Sequence, residues 1–219
     1  MTQTHALDVD GVWRAIDAAR SSLADLLADL SADEWRHWSL CPDWTVRDVA
    51  AHLTMQQAHV RESLGTLLRW RGTIDRTIAY EATRRAAALT TEQLVMEIRG
   101  MVGSRHQRVG VTYKSMLIDN LVHGQDIAVP LGRTLPIRPA TAAFAASRTL
   151  SMRWPPPLSS VRTVSRFRLV ATDISWSAGD GPEVRGPMAA LLLVCCGRVA
   201  ALPQLTGDGV ADLRRRLTA

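Results

Sequence analysis

From Gly11 to Leu30 the apolar residues Trp13, Ile16, Leu23, Leu26, Leu27 and Leu30 recur at steps of three, four and seven. That spacing draws one stripe on a helix of 3.6 residues per turn, and Asp10 is placed to cap its start. The next stretch carries Trp35, Trp38, Pro42 and Trp44. It reads as a loop too aromatic for a solvated linker and is expected to pack down. Thr45 and Asp48 then form a capping box, with Asp in place of the usual Glu, and open a helix from Val46 to about His59. Val46, Val49, Ala50 and Leu53 are its apolar face, His52 borders that face, and His52, Gln56 and His59 form a polar stripe. An arginine-rich stretch to Leu89, interrupted by Gly65 and Gly72, is read as helix without legible ends. Thr90 and Gln93 mark another start, with Leu94, Ile98 and Met101 facing inward.

Tyr113 to Val129 predicts a helix stopped by Pro130. Within it Asp119 and His123 are four residues apart, so both side chains leave one face a turn apart and can reach a single point. Pro139 suits the first position of a further helix, through about Arg153. Three prolines at 155–157 cannot continue it, and the expected domain boundary falls there: a helical bundle over 1–153 and a small α/β unit over 154–219. In that second unit Phe167, Leu169 and Ala171 alternate as in a strand, and Gly179-Asp180-Gly181 is read as a hairpin turn. Met188 to Cys196 predicts a buried helix, and a last short helix ends in Arg214, Arg215 and Arg216.

With 219 residues, 47% hydrophobic and 21% charged, the chain has an ordinary globular composition, which excludes disordered and collagen-like classes. It lacks an apolar run of the roughly 20 residues that cross a bilayer and a signal-like N-terminus, so no membrane partner and a cytoplasmic location are expected. Three cysteines, two of them adjacent, suggest no disulfide framework and fit a reducing compartment. The net charge of +5 comes from scattered arginines, read as solvated helix faces, and nucleic acid is not an expected partner. Cys41, between Trp38 and Trp44, is read as a packing residue before a nucleophile, and Cys195 and Cys196 as small buried residues. Without a nucleophile elbow or a glycine-rich phosphate loop, serine-hydrolase and nucleotide-binding readings are set aside.

His52, Asp119 and His123 remain as two imidazoles and one carboxylate. Neutral nitrogen and anionic oxygen suit a zinc-like divalent metal, and three protein ligands leave one position open. By spacing alone a hydrogen-bonded core histidine and a helix-stabilising Asp–His pair account for the same residues, so both readings stand.

The stretch Leu40-Cys41-Pro42-Asp43-Trp44-Thr45-Val46-Arg47-Asp48-Val49-Ala50-Ala51-His52-Leu53 resembles the signature of the mycothiol-dependent maleylpyruvate isomerase family, part of the DinB/YfiT-like superfamily of metal-binding four-helix bundles. Leu117 to Ile127 is similar to a later helix of that family, and Gly186-Pro187 through Leu205-Thr206-Gly207-Asp208-Gly209 to its smaller C-terminal domain. The resemblance implies a mainly α fold, an antiparallel four-helix bundle followed by a small α/β domain. It also implies a divalent metal, zinc by expectation, on His52, Asp119 and His123. The family carries a longer glutamate where this chain has Asp119, and the shorter arm leaves two roles for it, ligation or orienting His123. Asp126 is read as a solvated helix-end acid, with support of a ligand as its alternative. Gln56 and His59 are read as cavity lining or surface. The implied activity is a metal-activated, mycothiol-dependent isomerase or S-transferase acting on a small electrophile that can bear a carboxylate. A bundle that binds a metal or small ligand without turnover is the alternative. Bundles of this kind can pair as homodimers.

Overall fold

The computed structural model describes residues 7–57, 70–107, 111–152 and 159–218. The chain is mainly helical with one small sheet. Its contacts divide it into two compact units, residues 10–135 and a C-terminal unit from Pro136 onward.

In the first unit, α1 (Val9–Ala28) buries Trp13, Ile16, Leu23 and Leu27, the stripe read from the periodicity. Its start lies one residue before Asp10, so Asp10 sits inside the first turn and not at the cap; there its negative charge lies at the positive end of the helix dipole. The stretch expected to be all loop contains a short helix, α2 (Ala32–Arg36). Ser31 accepts from the amide of Glu34, and the Glu34 carboxylate accepts from the amide of Ser31. Trp35 packs down as expected, whereas Trp38 is 64% exposed.

The helix α3 (Val46–Thr54) opens on the Thr45–Asp48 capping box that the sequence predicts, and one 3-10 turn carries it on through Gln57. His59 lies outside the described residues. Val46, Val49, Ala50 and Leu53 are fully buried. Around α3 pack α2, α4 (Ile74–Ala88), α5 (Thr91–Gly100) and α6 (Tyr113–Ala128). The Thr90–Gln93 box caps α5, and Thr112 caps α6. Leu23, Leu27, Val49, Leu53, Leu94 and Ile98 form the centre of this helical core.

In the second unit Pro139 stands at the start of α7 (Pro139–Ser151), which packs on α9 (Met188–Cys195). The sequence groups this helix with the bundle, whereas its contacts group it with the C-terminal unit; the proline run expected to mark the boundary lies outside the described residues. A short helix α8 (Ser159–Val164) precedes the sheet. The strands β1 (Arg168–Ala171), β2 (Ser177–Ala178) and β3 (Glu183–Gly186) are ordered β2-β1-β3, with β2 antiparallel and β3 parallel to β1. The hairpin exists, but its bend lies at residues 172–175 rather than at Gly179-Asp180-Gly181. The two glycines link β2 to β3 close against the start of β1. A Cβ on Gly179, which has φ of 77°, would lie 2.3 Å from the carbonyl oxygen of Phe167. The last helix, α10 (Val210–Leu217), carries the arginine run on a solvated face, where Asp212 pairs with Arg215 and Arg216.

Candidate metal and thiol site

The site begins with a turn. Pro42 fixes one backbone angle, Asp43 adopts φ of 62°, and the amide of Trp44 donates to the Cys41 carbonyl at 3.2 Å. Proline followed by a residue with positive φ and closed by that bond is a type II turn. Asp is among the few residues other than glycine that tolerate the left-handed conformation, because its short side chain can bond locally. The turn is clamped to α6 by the amide of Leu40, which donates to the Asp126 carbonyl at 3.0 Å, and closed on itself by the Ser39 amide and hydroxyl, both 2.9 Å from the Trp44 carbonyl. Cys41 is thereby held against the end of α6, and Trp44 against the start of α3.

Two of the three residues singled out in the sequence meet here. The rings of His52 on α3 and His123 on α6 have centroids 4.9 Å apart with planes at 75°. Trp44 lies beside both, at 5.3 Å from His52 and 6.4 Å from His123. Asp119, partly buried one turn before His123, is among the charges that act on that imidazole.

Behind His123 is a group that sequence reasoning misread. Asp126 is fully buried, not solvated; its Oδ2 accepts from His123 Nδ1 at 2.8 Å and from the Cys41 thiol at 3.1 Å. The Cys41 sulfur lies 3.5 Å from the same Nδ1. Cys41 is therefore more than a packing residue. Burial opposes the imidazolium, but the hydrogen bond to Asp126, the Cys41 contact and the charges of Asp126 and Asp119 outweigh it and raise His123 from 6.5 to about 10. The clue to Asp126 lay in its spacing, three residues after His123, which puts both on one face. Its burial depends on the turn that covers it, which periodicity does not register.

The donor atoms of Cys41, His123 and Asp126 all lie within 4.8 Å of one another, a group that shares only His123 with the predicted ligands. Donors around a tetrahedral zinc stand roughly 3.3–3.6 Å apart, given metal–ligand bonds of about 2.0–2.3 Å. The 2.8 and 3.1 Å separations in this triangle are hydrogen-bond lengths instead. The two imidazoles fit an ion better: rings that share a tetrahedral zinc through one nitrogen each have centroids about 5 Å apart, close to the 4.9 Å seen. A carboxylate on Nδ1–H is also the usual partner of a histidine that ligates through its other nitrogen.

One turn along each helix is a second polar contact. Asn120 Nδ2 donates to the Met116 carbonyl at 2.7 Å and to Gln56 Oε1 at 2.8 Å. The Met116 carbonyl fixes which end of the Asn120 amide is nitrogen, because the flipped form would set two oxygens together. Gln56 Nε2 and Asn120 Oδ1 are then left buried without a hydrogen-bond partner among the described residues. Gln56 is thus interior rather than surface.

Comparison with known proteins matches this chain to one family. Residues 16–112 match the mycothiol maleylpyruvate isomerase N-terminal domain, a span that includes Cys41 and His52 and stops before α6. The crystal structure of the mycothiol-dependent maleylpyruvate isomerase superposes with a TM-score of 0.60 at 16% identity, over 95% of this chain and 96% of that one. A histidine-to-alanine mutant of that isomerase superposes with 0.59 at 14% identity and the same coverage. At such identity the likeness is one of fold. No curated protein sequence matches the chain. With the predicted helical architecture observed, residues 16–112 match the mycothiol maleylpyruvate isomerase N-terminal domain, and the chain as a whole shares the fold of the mycothiol-dependent maleylpyruvate isomerase.

Proposed function

We propose that this protein is a divalent-metal, mycothiol-dependent isomerase or S-transferase, with His52, His123 and Asp119 as the metal ligands and zinc as the metal. The observation that carries the reading is the pair of imidazoles at 4.9 Å, one of them held on Nδ1 by a buried carboxylate. When bound, a divalent ion supplies electrostatic stabilisation of a small-molecule thiolate at neutral pH. The protein's part is orientation. Asp126 holds the His123 ring with Nδ1 protonated and Nε2 turned to the ligand side, Trp44 shields both imidazoles, and the capping box fixes the start of the helix that carries His52.

Cys41 is not the nucleophile in this reading, since its thiol proton is engaged by Asp126. The nucleophile is the sulfur of the cosubstrate thiol. It forms a bond to an electrophilic carbon conjugated to a carbonyl, and the electron pair of the double bond moves toward that carbonyl oxygen. Rotation about the resulting single bond and loss of the same thiol gives an isomer; protonation with retention of sulfur gives a thioether. Neither route needs an oxidant or reductant.

The test has two parts, metal analysis of protein purified without an affinity tag and thiol consumption with mycothiol and a panel of conjugated electrophiles. One metal per chain, with saturable turnover that needs mycothiol, is expected. Metal without turnover on any electrophile gives the binding-only alternative, and absence of both removes the proposal.

A further inference from the structure

A cavity of about 570 Å³ is lined by the end of α1, by α2, by the start of α3 and by α5. All of its lining residues belong to the unit over residues 10–135, and none is among those of the candidate metal site. Its volume falls within the roughly 300–1,000 Å³ of small-molecule sites. Much of its wall is apolar: Leu27, Trp35 and Val95 are buried members of the helical core that also border this space. Leu30 and Met96 extend that apolar surface, and Met96 is 62% exposed.

Three of the bordering residues are arginines and one is an acid. Arg36 pairs with Asp33 and Arg99 with Asp25, in exposed ion pairs that water screens. Arg47 differs. It is partly buried, and among the described residues no carboxylate pairs with it. Its Nη2 donates to the Leu89 carbonyl at 2.6 Å, and its Nε is buried without a hydrogen-bond partner. It also stands in the first turn of α3, where the positive end of the helix dipole disfavours a cation. The acid, Glu92, does not serve as its counter-ion: its carboxylate is held below its ordinary range chiefly by its own amide and the Thr90 and Thr91 hydroxyls, with the charge of Arg47 the weakest influence. A partly desolvated guanidinium is stabilised by an opposite charge, and the cavity gives room for one beside it.

We propose that this cavity binds a small organic anion, its carboxylate against Arg47 and its apolar body against Leu27, Trp35 and Val95. Inorganic phosphate would leave the apolar wall uncovered, and a neutral apolar molecule would leave Arg47 without a counter-charge. Arg47 and His52 are five residues apart on α3, about 140° around the helix, so this cavity and the candidate metal site use different faces of one element. The binding is independent of the function proposed above and is measured without thiol or turnover, so either can fail alone.

The experiment uses the full chain as purified, labelled with carbon-13 in the methionine methyl groups. Met96 is the reporter on the cavity wall, assigned by the loss of its resonance in Met96→Leu. It is followed in titrations with 2-naphthoate, an apolar body with one carboxylate, and with 2-naphthamide, its uncharged counterpart. A saturable shift with naphthoate and binding of the amide at least about tenfold weaker are expected. Calorimetry should show naphthoate bound at least about tenfold more weakly by Arg47→Gln, which removes the cation, and by Met96→Glu, which sets a like charge on the same wall. Should Arg47→Gln not fold without its bond to Leu89, the glutamate variant at the exposed position carries the comparison. A Met96 resonance unmoved by naphthoate, equal affinity for the amide, or variants that bind naphthoate as tightly as the native chain would overturn the proposal.

Discussion

The two units bury different chemistry. Among the described residues, the polar side chains hidden in the C-terminal unit are the hydroxyls of Thr141, Thr149 and Ser160. Two of these bond to carbonyls of helical residues, Thr149 to Ala145 at 2.9 Å and Ser160 to Cys195 at 2.8 Å. Its helix α9 is apolar from Leu191 to Cys195 and wholly buried there. The helical unit hides the hydroxyl residues Thr54 and Thr77 and, beyond them, the charged and amide groups of Arg20, Gln56, Glu81, Asn120 and Asp126. Charged and amide groups cost free energy to bury, and a unit that carries five of them either satisfies them internally or keeps them for a ligand. Asp126 is satisfied by His123 and Cys41, and Glu81 by Arg84. Arg20, Gln56 and Asn120 have buried donor or acceptor atoms without a hydrogen-bond partner among the described residues. The contrast puts the groups of the candidate site in the first unit.

The largest effects expected are at the imidazoles. His52→Ala and His123→Ala should each lower metal occupancy and thiol turnover by about 100-fold or more while the circular dichroism of the helices persists, because each removes a proposed ligand. Equal metal content in both variants would break the contrast at its centre. In the other unit, Leu192→Ala empties space in a fully buried position. It should destabilise the protein by about 2–5 kcal/mol in denaturant unfolding, with metal content per folded molecule unchanged. Loss of binding in proportion to stability would make the second unit part of the site.

Asp126→Asn sharpens the account further. The neutral amide keeps the volume but loses the charge that orients His123, and metal affinity should fall about 10–100-fold in a chelator competition. In metal-free native protein His123 titrates near pH 10, above its ordinary 6.5. Its contribution to stability is therefore fully present below about pH 6.5 and lost as the pH rises through about 10; the asparagine variant should lose that dependence in alkaline unfolding series. The smallest effect is at Glu34 on α2. The hydrogen bond from Arg133, with those from Ser31, lowers Glu34 from 4.5 to about 2. Its contribution is present above about pH 4.5 and fades as the pH falls toward 2, so Glu34→Gln should lower stability slightly at neutral pH, leave it almost unchanged near pH 2, and thereby flatten the acid unfolding series.

Features legible in the sequence were those whose physics is local. The Thr45–Asp48 and Thr90–Gln93 boxes and Pro139 marked helix starts because a cap is satisfied within four residues. The Ser31–Glu34 box carries the same signal and opens α2, a helix of five residues set among Trp35, Trp38 and Trp44 in the sequence. His52 and His123 were legible as a pair through family resemblance and helical spacing. Cys41 and Asp126 were not, because their meeting needs a type II turn folded back on α6. Gly179 and Gly181 were legible as a turn but not as a link between β2 and β3, since strand order depends on partners distant in sequence. Arg20 was concealed by its composition class, one arginine among many that face water.

The central claim is that one ion sits between His52 and His123 and that Cys41 lies behind it, bonded to Asp126. X-ray absorption at the metal edge of tag-free protein, in buffer without thiol, addresses this directly. The account predicts a shell of nitrogen and oxygen alone at about 2.0–2.2 Å, with outer scattering from two imidazoles. A sulfur scatterer at about 2.3 Å would put Cys41 on the metal, and scattering from a single imidazole would separate the two histidines, either result contradicting the site described.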